Sequence, residues 1–130
     1  MNSKTISLVL PAEKNKVFSY LSKIENLPKW ATEFCQELQT VDGKHKVFTC
    51  MKEELFFQIH SDEKTGVIDA FAGPTEEQMT IFPMRVIEFP NRTCVVQFTM
   101  FQAPNISNER FEDEFESLKR EFENIKKEFS

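Results

Sequence analysis

The sequence predicts an α+β fold in which one long C-terminal helix lies across a curved antiparallel sheet of about seven strands, with two short helices after the first strand. Three observations point there. In the last quarter of the chain Phe111, Phe115, Leu118, Phe122, Ile125 and Phe129 recur at alternating steps of four and three, a one-faced apolar stripe that needs a partner surface. Upstream, short runs rich in Phe, Val, Ile and Thr follow one another with turn residues between them. The connections are short, which favours an antiparallel meander of sequential neighbours. At 130 residues the chain is one domain, 1–130, with room for one core and not two.

Each element has its own signal. Thr5 to Leu10 reads as a first strand closed by Pro11. A helix follows, with Val17, Phe18, Leu21 and Ile24 on one face, and Asn26-Leu27-Pro28 is expected to end it because proline disfavours helical geometry in the residue before it. Leu27, Trp30 and Phe34 form a short apolar elbow. The runs 35–41 and 44–51 flank Asp42-Gly43, the dipeptide suited to a type I′ hairpin. Runs at 55–61, 65–72, 79–89 and 92–101 are separated by Asp62-Glu63-Lys64, Gly73-Pro74-Thr75 and Pro90-Asn91. Pro104 stops the last strand and Asn105 or Ser107 caps the final helix. Glu109, Glu112 and Asp113 suit the positive end of that helix, and Lys126 and Lys127 the opposite end. Its charged run reads as a solvated face, with Glu116–Arg120 and Glu123–Lys127 spaced to pair.

Composition excludes several classes. Sixteen Lys and Arg against 21 Asp and Glu give a net charge of −5, and the cations are scattered, so no nucleic-acid footprint is expected. Cys35, Cys50 and Cys94 are odd in number and widely spaced, which argues against a disulfide framework or a zinc site and for reduced thiols in a cytoplasm. The N-terminus carries no secretory apolar stretch, and no run is long enough for a membrane span. His45, beside the Asp42-Gly43 turn, is expected in solvent. With His60 it makes a poor metal pair, so neither metal nor cofactor is expected.

The order of strand, helix pair, six strands and long helix resembles the START-type, polyketide-cyclase-like (SRPBCC) superfamily, in particular a bacterial branch of it. The matching words are Pro11-Ala12-Glu13 with Val17-Phe18, then Glu25-Asn26-Leu27-Pro28-Lys29-Trp30, Gly66-Val67-Ile68-Asp69, Pro83-Met84-Arg85-Val86, Phe98-Thr99-Met100-Phe101 and Phe111 through Lys119. They span nearly the whole chain. Cys50-Met51-Lys52-Glu53-Glu54 departs from the pattern where a glycine-containing turn is expected. The resemblance implies a helix-grip fold with a cavity between sheet and last helix that takes lipids, polyketides or other apolar molecules. It does not fix a reaction.

Strand alternation indicates which residues face that cavity. Cys94, Val96, Phe98 and Met100 are expected to face the helix. Taking Pro90-Asn91 as a two-residue loop sets Arg85 opposite Val96 and therefore inward. Taking Glu63-Lys64 as another sets His60 opposite Val67 and Gln58 opposite Asp69, and a turn centred near Glu77 sets Asp69 opposite Arg85. Gln58, His60, Asp69 and Arg85 then converge on one wall, where Asp69 and Arg85 are expected to pair. The pair is either structural or, with Arg85 as anchor and His60 as hydrogen-bonding group, part of ligand recognition. The same register sends Leu55, Phe57, Ile59, Ile68 and Ala70 outward, which calls for either a bulge or a covering partner, and a weak homodimer through that face is the expected partner. Trp30 at the cavity mouth, and Phe98, Met100, Phe111 and Phe115 within, complete the expected lining.

Three functions stay open at this point. They are a binder of a small hydrophobic molecule, a polyketide cyclase or dehydratase-like enzyme using Asp69, Arg85 and His60, and a protein-interaction module using the outer sheet face.

Overall fold

The computed structural model describes all 130 residues. The C-terminal stripe becomes a helix, α3, at Asn108–Glu128, and the upstream runs become seven strands: β1 Ser3–Leu10, β2 Glu37–Val41, β3 Lys44–Phe48, β4 Glu54–Asp62, β5 Val67–Gly73, β6 Thr80–Phe89 and β7 Thr93–Phe101. Two short helices, α1 (Lys14–Ser22) and α2 (Leu27–Trp30), fill the long connection from β1 to β2. The sheet is antiparallel throughout in the order β1-β7-β6-β5-β4-β3-β2, so the first strand closes onto the last and every other neighbour is sequential.

Local chemistry explains the boundaries. The Ser107 hydroxyl accepts from the Arg110 amide at 3.1 Å and starts α3. Asp42 and Gly43 both take positive φ, 53° and 75°, and Val41 pairs with Lys44, as the type I′ hairpin requires. Pro28 does not end the first helix. That helix stops at Ser22, where Lys23 turns extended, and after one 3-10 turn at Ile24–Asn26 the proline sits in the opening turn of α2. A missing amide donor costs nothing there.

Phe111, Leu118, Phe122 and Ile125 of α3 are buried against the inner face of the sheet, each side chain contributing about 1.5–3 kcal/mol. Leu10, Val86, Cys94 and Val96 close the core from the sheet, and Val17 and Leu21 from α1. Two surface expectations on α3 change. Arg120 forms a bidentate pair with Glu33 rather than reaching Glu116, which instead pairs with Lys119. Glu121, inside the run read as solvated, is buried. No helix is long and apolar enough to cross a membrane.

The register corrects the proposed polar wall. Phe89 pairs with Thr93, so the β6–β7 loop holds three residues, Pro90-Asn91-Arg92, with Asn91 and Arg92 both at positive φ (62° and 54°). A slip of one residue exchanges the two faces of a strand. Met84 and Val86 therefore point inward and Arg85 outward, opposite Gln97. The other two hairpins differ from expectation by two residues, which preserves the exchange. Asp69 pairs with Pro83 on one side and His60 on the other. The β4–β5 loop is Glu63–Gly66, closed by Gly66 at φ +75°. Gln58, His60, Asp69 and Arg85 thus lie on the outer face, and Phe57, Ile68 and Ala70 are buried inside with Leu55 and Ile59 beside them. No bulge is needed. The apolar patch offered for a homodimer is core.

Candidate functional site

The inner face of β4 to β7 and the facing side of α3 form an aromatic wall. Phe122 meets Phe98 edge-on at 6.0 Å between ring centres and Trp30 at 6.2 Å. Phe98 then meets Phe82 at 6.1 Å, and Phe34 sits against both Phe82 (6.5 Å) and Phe57 (5.8 Å). Packing is uneven along this chain of rings. Phe122, Trp30, Phe98 and Phe57 are buried, whereas Phe34, Phe82, Leu55, Ile59 and Thr80 are only half-buried. The wall is closed under α3 and loosens toward β4.

Next to the loose end lies a groove of about 490 Å³ between the end of α1 and strands β3 and β4. It exists because β3 begins only at Lys44, so that β4 beyond Gln58 has no partner on that side. Ile24, Phe57 and Ile59 supply apolar lining, with Phe56 and Met79. The polar rim carries Lys23, Glu25, His45, Gln58, His60 and the ion pair Lys44–Glu76 at 2.7 Å. His45 is not in open solvent. It is half-buried, and its Nδ1 lies 2.7 Å from the Thr40 hydroxyl, which leaves Nε2 free of protein partners. A second concavity of similar size, between the start of α1 and the β6–β7 loop, has Phe89 as its single apolar side chain and suits no apolar molecule.

The expected site residues separate into groups. Phe98, Met100 and Phe111 are buried in the interior, and so is Trp30, which packs on Phe122 at the closed part of the wall and not at a mouth. Phe115 is half-buried, its ring covered by the ammonium groups of Lys4 and Lys119 at 5.0 and 5.5 Å. Gln58 and His60 reach the rim of the groove from the outer face, bonded to each other at 3.3 Å. Asp69 and Arg85 have no place in it. They form no ion pair, and Arg85 donates instead to the Thr65 carbonyl at 3.3 Å.

One interior titratable group escaped the sequence reading. Glu121 is 4 % exposed, and its Oε2 accepts from the backbone amides of Glu33 at 3.0 Å and Phe34 at 2.9 Å. Burial pushes its carboxyl up to about 7, against the opposing pull of those two amides. The same surroundings push the Cys35 thiol up to about 11, burial first and the Glu121 charge second. A signal was available, because Glu121 stands three residues after Leu118 and four before Ile125, at the edge of the apolar stripe.

No protein-family model matches the chain, and no curated protein sequence does. Solved structures do match. XoxI from Bacillus cereus superposes with a TM-score of 0.78 at 12% identity, over 99% of this chain and 96% of that one. The di-domain ARO/CYC BexL from the BE-7585A biosynthetic pathway gives 0.73 at 11% identity, over 97% of this chain and 45% of its own. A START superfamily protein from Mycobacterium smegmatis gives 0.62 at 10% identity, over 98% and 99%. At such identities the likeness establishes the fold. The chain has the helix-grip fold, which it shares with these structures, the START superfamily protein and the ARO/CYC among them.

Proposed function

We propose that the protein binds a small hydrophobic molecule, lipid- or polyketide-like, between the sheet and α3, admitted through the groove beside β4. The observation that carries this reading is the uneven packing of the inner wall. Ile59 stays half-buried in the groove lining, and Phe34, Phe82 and Leu55 stay half-buried on the same inner wall, while the rings under α3 are closed. The entry groove itself, at about 490 Å³ and lined by α1, β3 and β4, has the size of a small-molecule site, and an apolar floor with a few polar rim groups is the usual make-up of one. The fold shared with a START superfamily protein and with an ARO/CYC supports the same reading. Catalysis by the set Asp69, Arg85 and His60 has less support, since Asp69 and Arg85 lie on the outer face away from the groove and only His60 reaches its rim. The residues Leu55, Phe57, Ile59 and Ile68 offered for a homodimer are on the inner face, and the central row of the outer face runs Ser7, Gln97, Arg85, Val67, Asp62. The three free thiols suit a reducing cytoplasm.

Titration with the fluorescent probe 1-anilinonaphthalene-8-sulfonate tests the proposal. Saturable one-to-one binding is expected, weakened at least tenfold in Ile59→Trp, which fills the groove floor. No binding, or equal binding by the folded variant, would overturn it.

A further inference from the structure

We propose that the groove beside β4 recognises a carbonyl oxygen of its ligand, through Nε2 of His45 and the backbone amide of Ile59. The ligand is then an apolar carbonyl compound rather than a plain hydrocarbon or a carboxylate. This rests on the ligand-binding reading above and narrows it.

The ladder between β3 and β4 places the amide. The Gln36 amide donates to the Phe48 carbonyl, which turns the backbone of Phe48 toward β2, and the Thr49 amide donates to the Glu53 carbonyl on the other side. Backbone groups alternate sides along a strand, so His45 and Val47 point to β4 while their partners Phe57 and Leu55 point back to β3. Ile59 follows Phe57 by two residues and faces the same way. No strand meets it there. Pairing stops at His45–Phe57, and Gly43, the next residue in line, turns off into the hairpin at φ +75°. The Ile59 amide is left without a protein acceptor, in a residue that is half-buried and lines the groove. An acceptor that reaches it completes the ladder where β3 does not.

His45 supplies the second donor. It shares the inner face with Phe57, its cross-strand partner, and therefore with the Ile59 side chain. Its Nδ1 lies 2.7 Å from the hydroxyl of Thr40, its partner on β2. That hydroxyl has no other partner on the protein, and as donor to Nδ1 it assigns the ring proton to Nε2. The two nitrogens of an imidazole face nearly opposite ways, so an Nδ1 turned to β2 turns Nε2 toward β4 and the groove. Two residues of strand, about 7 Å, separate the position opposite His45 from Ile59, so both donors border one end of the apolar floor.

The rim does not call for an anion. Lys44 is paired with Glu76, Lys23 is balanced by Glu25, and the Ile59 carbonyl points the same way as its amide. A carboxylate there would meet repulsion as well as attraction, whereas a neutral carbonyl oxygen keeps its hydrogen bonds.

Equilibrium dialysis with 2-acetylnaphthalene and with 2-isopropenylnaphthalene, in which a methylene group replaces the carbonyl oxygen, tests the assignment. Both should bind the wild-type protein. His45→Leu should weaken the ketone about three- to tenfold, the worth of one hydrogen bond, and leave the hydrocarbon nearly unchanged. His45→Gln, which can bring an amide N–H close to the place of Nε2, should restore most of the ketone's affinity. In amide NMR the Ile59 proton should move downfield with the ketone and not with the hydrocarbon. Equal losses for both ligands in His45→Leu, or an Ile59 amide that responds to both alike, would overturn the proposal and leave the groove as a binding site. Tighter binding of 2-naphthoate than of the ketone would overturn it in favour of an anion. Failure of both neutral ligands to bind the wild-type protein would overturn the ligand-binding reading together with it.

Discussion

Replacing Phe122 and Phe82 by alanine, one at a time, separates the closed part of the interior from the open part. Phe122 is 2 % exposed and meets two other rings edge-on, Trp30 and Phe98. Its truncation removes the buried area of a full ring and leaves a cavity that close-packed neighbours fill only in part, at about 3–5 kcal/mol. The two aromatic pairs place it at the upper end of that range, each adding about 0.5–1.5 kcal/mol. A domain of this length has a total stability of about 5–15 kcal/mol, so Phe122→Ala should unfold at much lower urea concentration and leave little margin. Phe82 is also apolar and also on the inner face, but it is half-buried, next to Phe34 and Phe98. Its truncation should cost roughly 1–2 kcal/mol, because less area returns to water. Urea titrations of both variants decide the matter. Equal losses would mean that the wall is uniformly packed, and the argument for an opening toward β4 would fail.

Two further outcomes follow from single residues. Because the Glu121 carboxyl binds its proton more tightly folded than unfolded, the folded state holds the extra proton between 4.5 and about 7, and stability falls as the pH rises through that window. The loss should reach up to about 3 kcal/mol above pH 7, and Glu121→Gln should remove most of the slope in denaturation curves at pH 5.5 and 8.5. Gly66→Ala should destabilise by more than about 1 kcal/mol, since φ is +75° and the added methyl group would lie 2.2 Å from the Val86 carbonyl oxygen. A thermal midpoint unchanged from wild type would contradict the close approach of that loop to β6.

The architecture was legible because its signals are local. Helical spacing from Phe111 to Phe129 set α3, Ser107 capped it, and Asp42-Gly43 fixed one hairpin to the residue. The polar wall failed for a reason equally local. Nothing in the letters Pro90-Asn91-Arg92 announces that both Asn91 and Arg92 take left-handed backbone, and the third loop residue this adds turns β6, β5 and β4 over together. Apolar residues held the truer signal, since Phe57, Ile59, Ile68 and Ala70 sent outward were a warning that the register was wrong. Glu121 stayed hidden because its partners are backbone amides of a loop nearly ninety positions away, which no spacing rule on α3 can supply.

The most direct test of the central claim is residue-resolved NMR of isoleucine methyl groups during titration with 1-anilinonaphthalene-8-sulfonate. Ile24 and Ile59 line the groove, whereas Ile87 lies on the opposite face of the sheet. Saturable shifts are expected at Ile24 and Ile59, with Ile87 unmoved. Shifts confined to Ile87, or no saturable shift at Ile24 and Ile59, would contradict it.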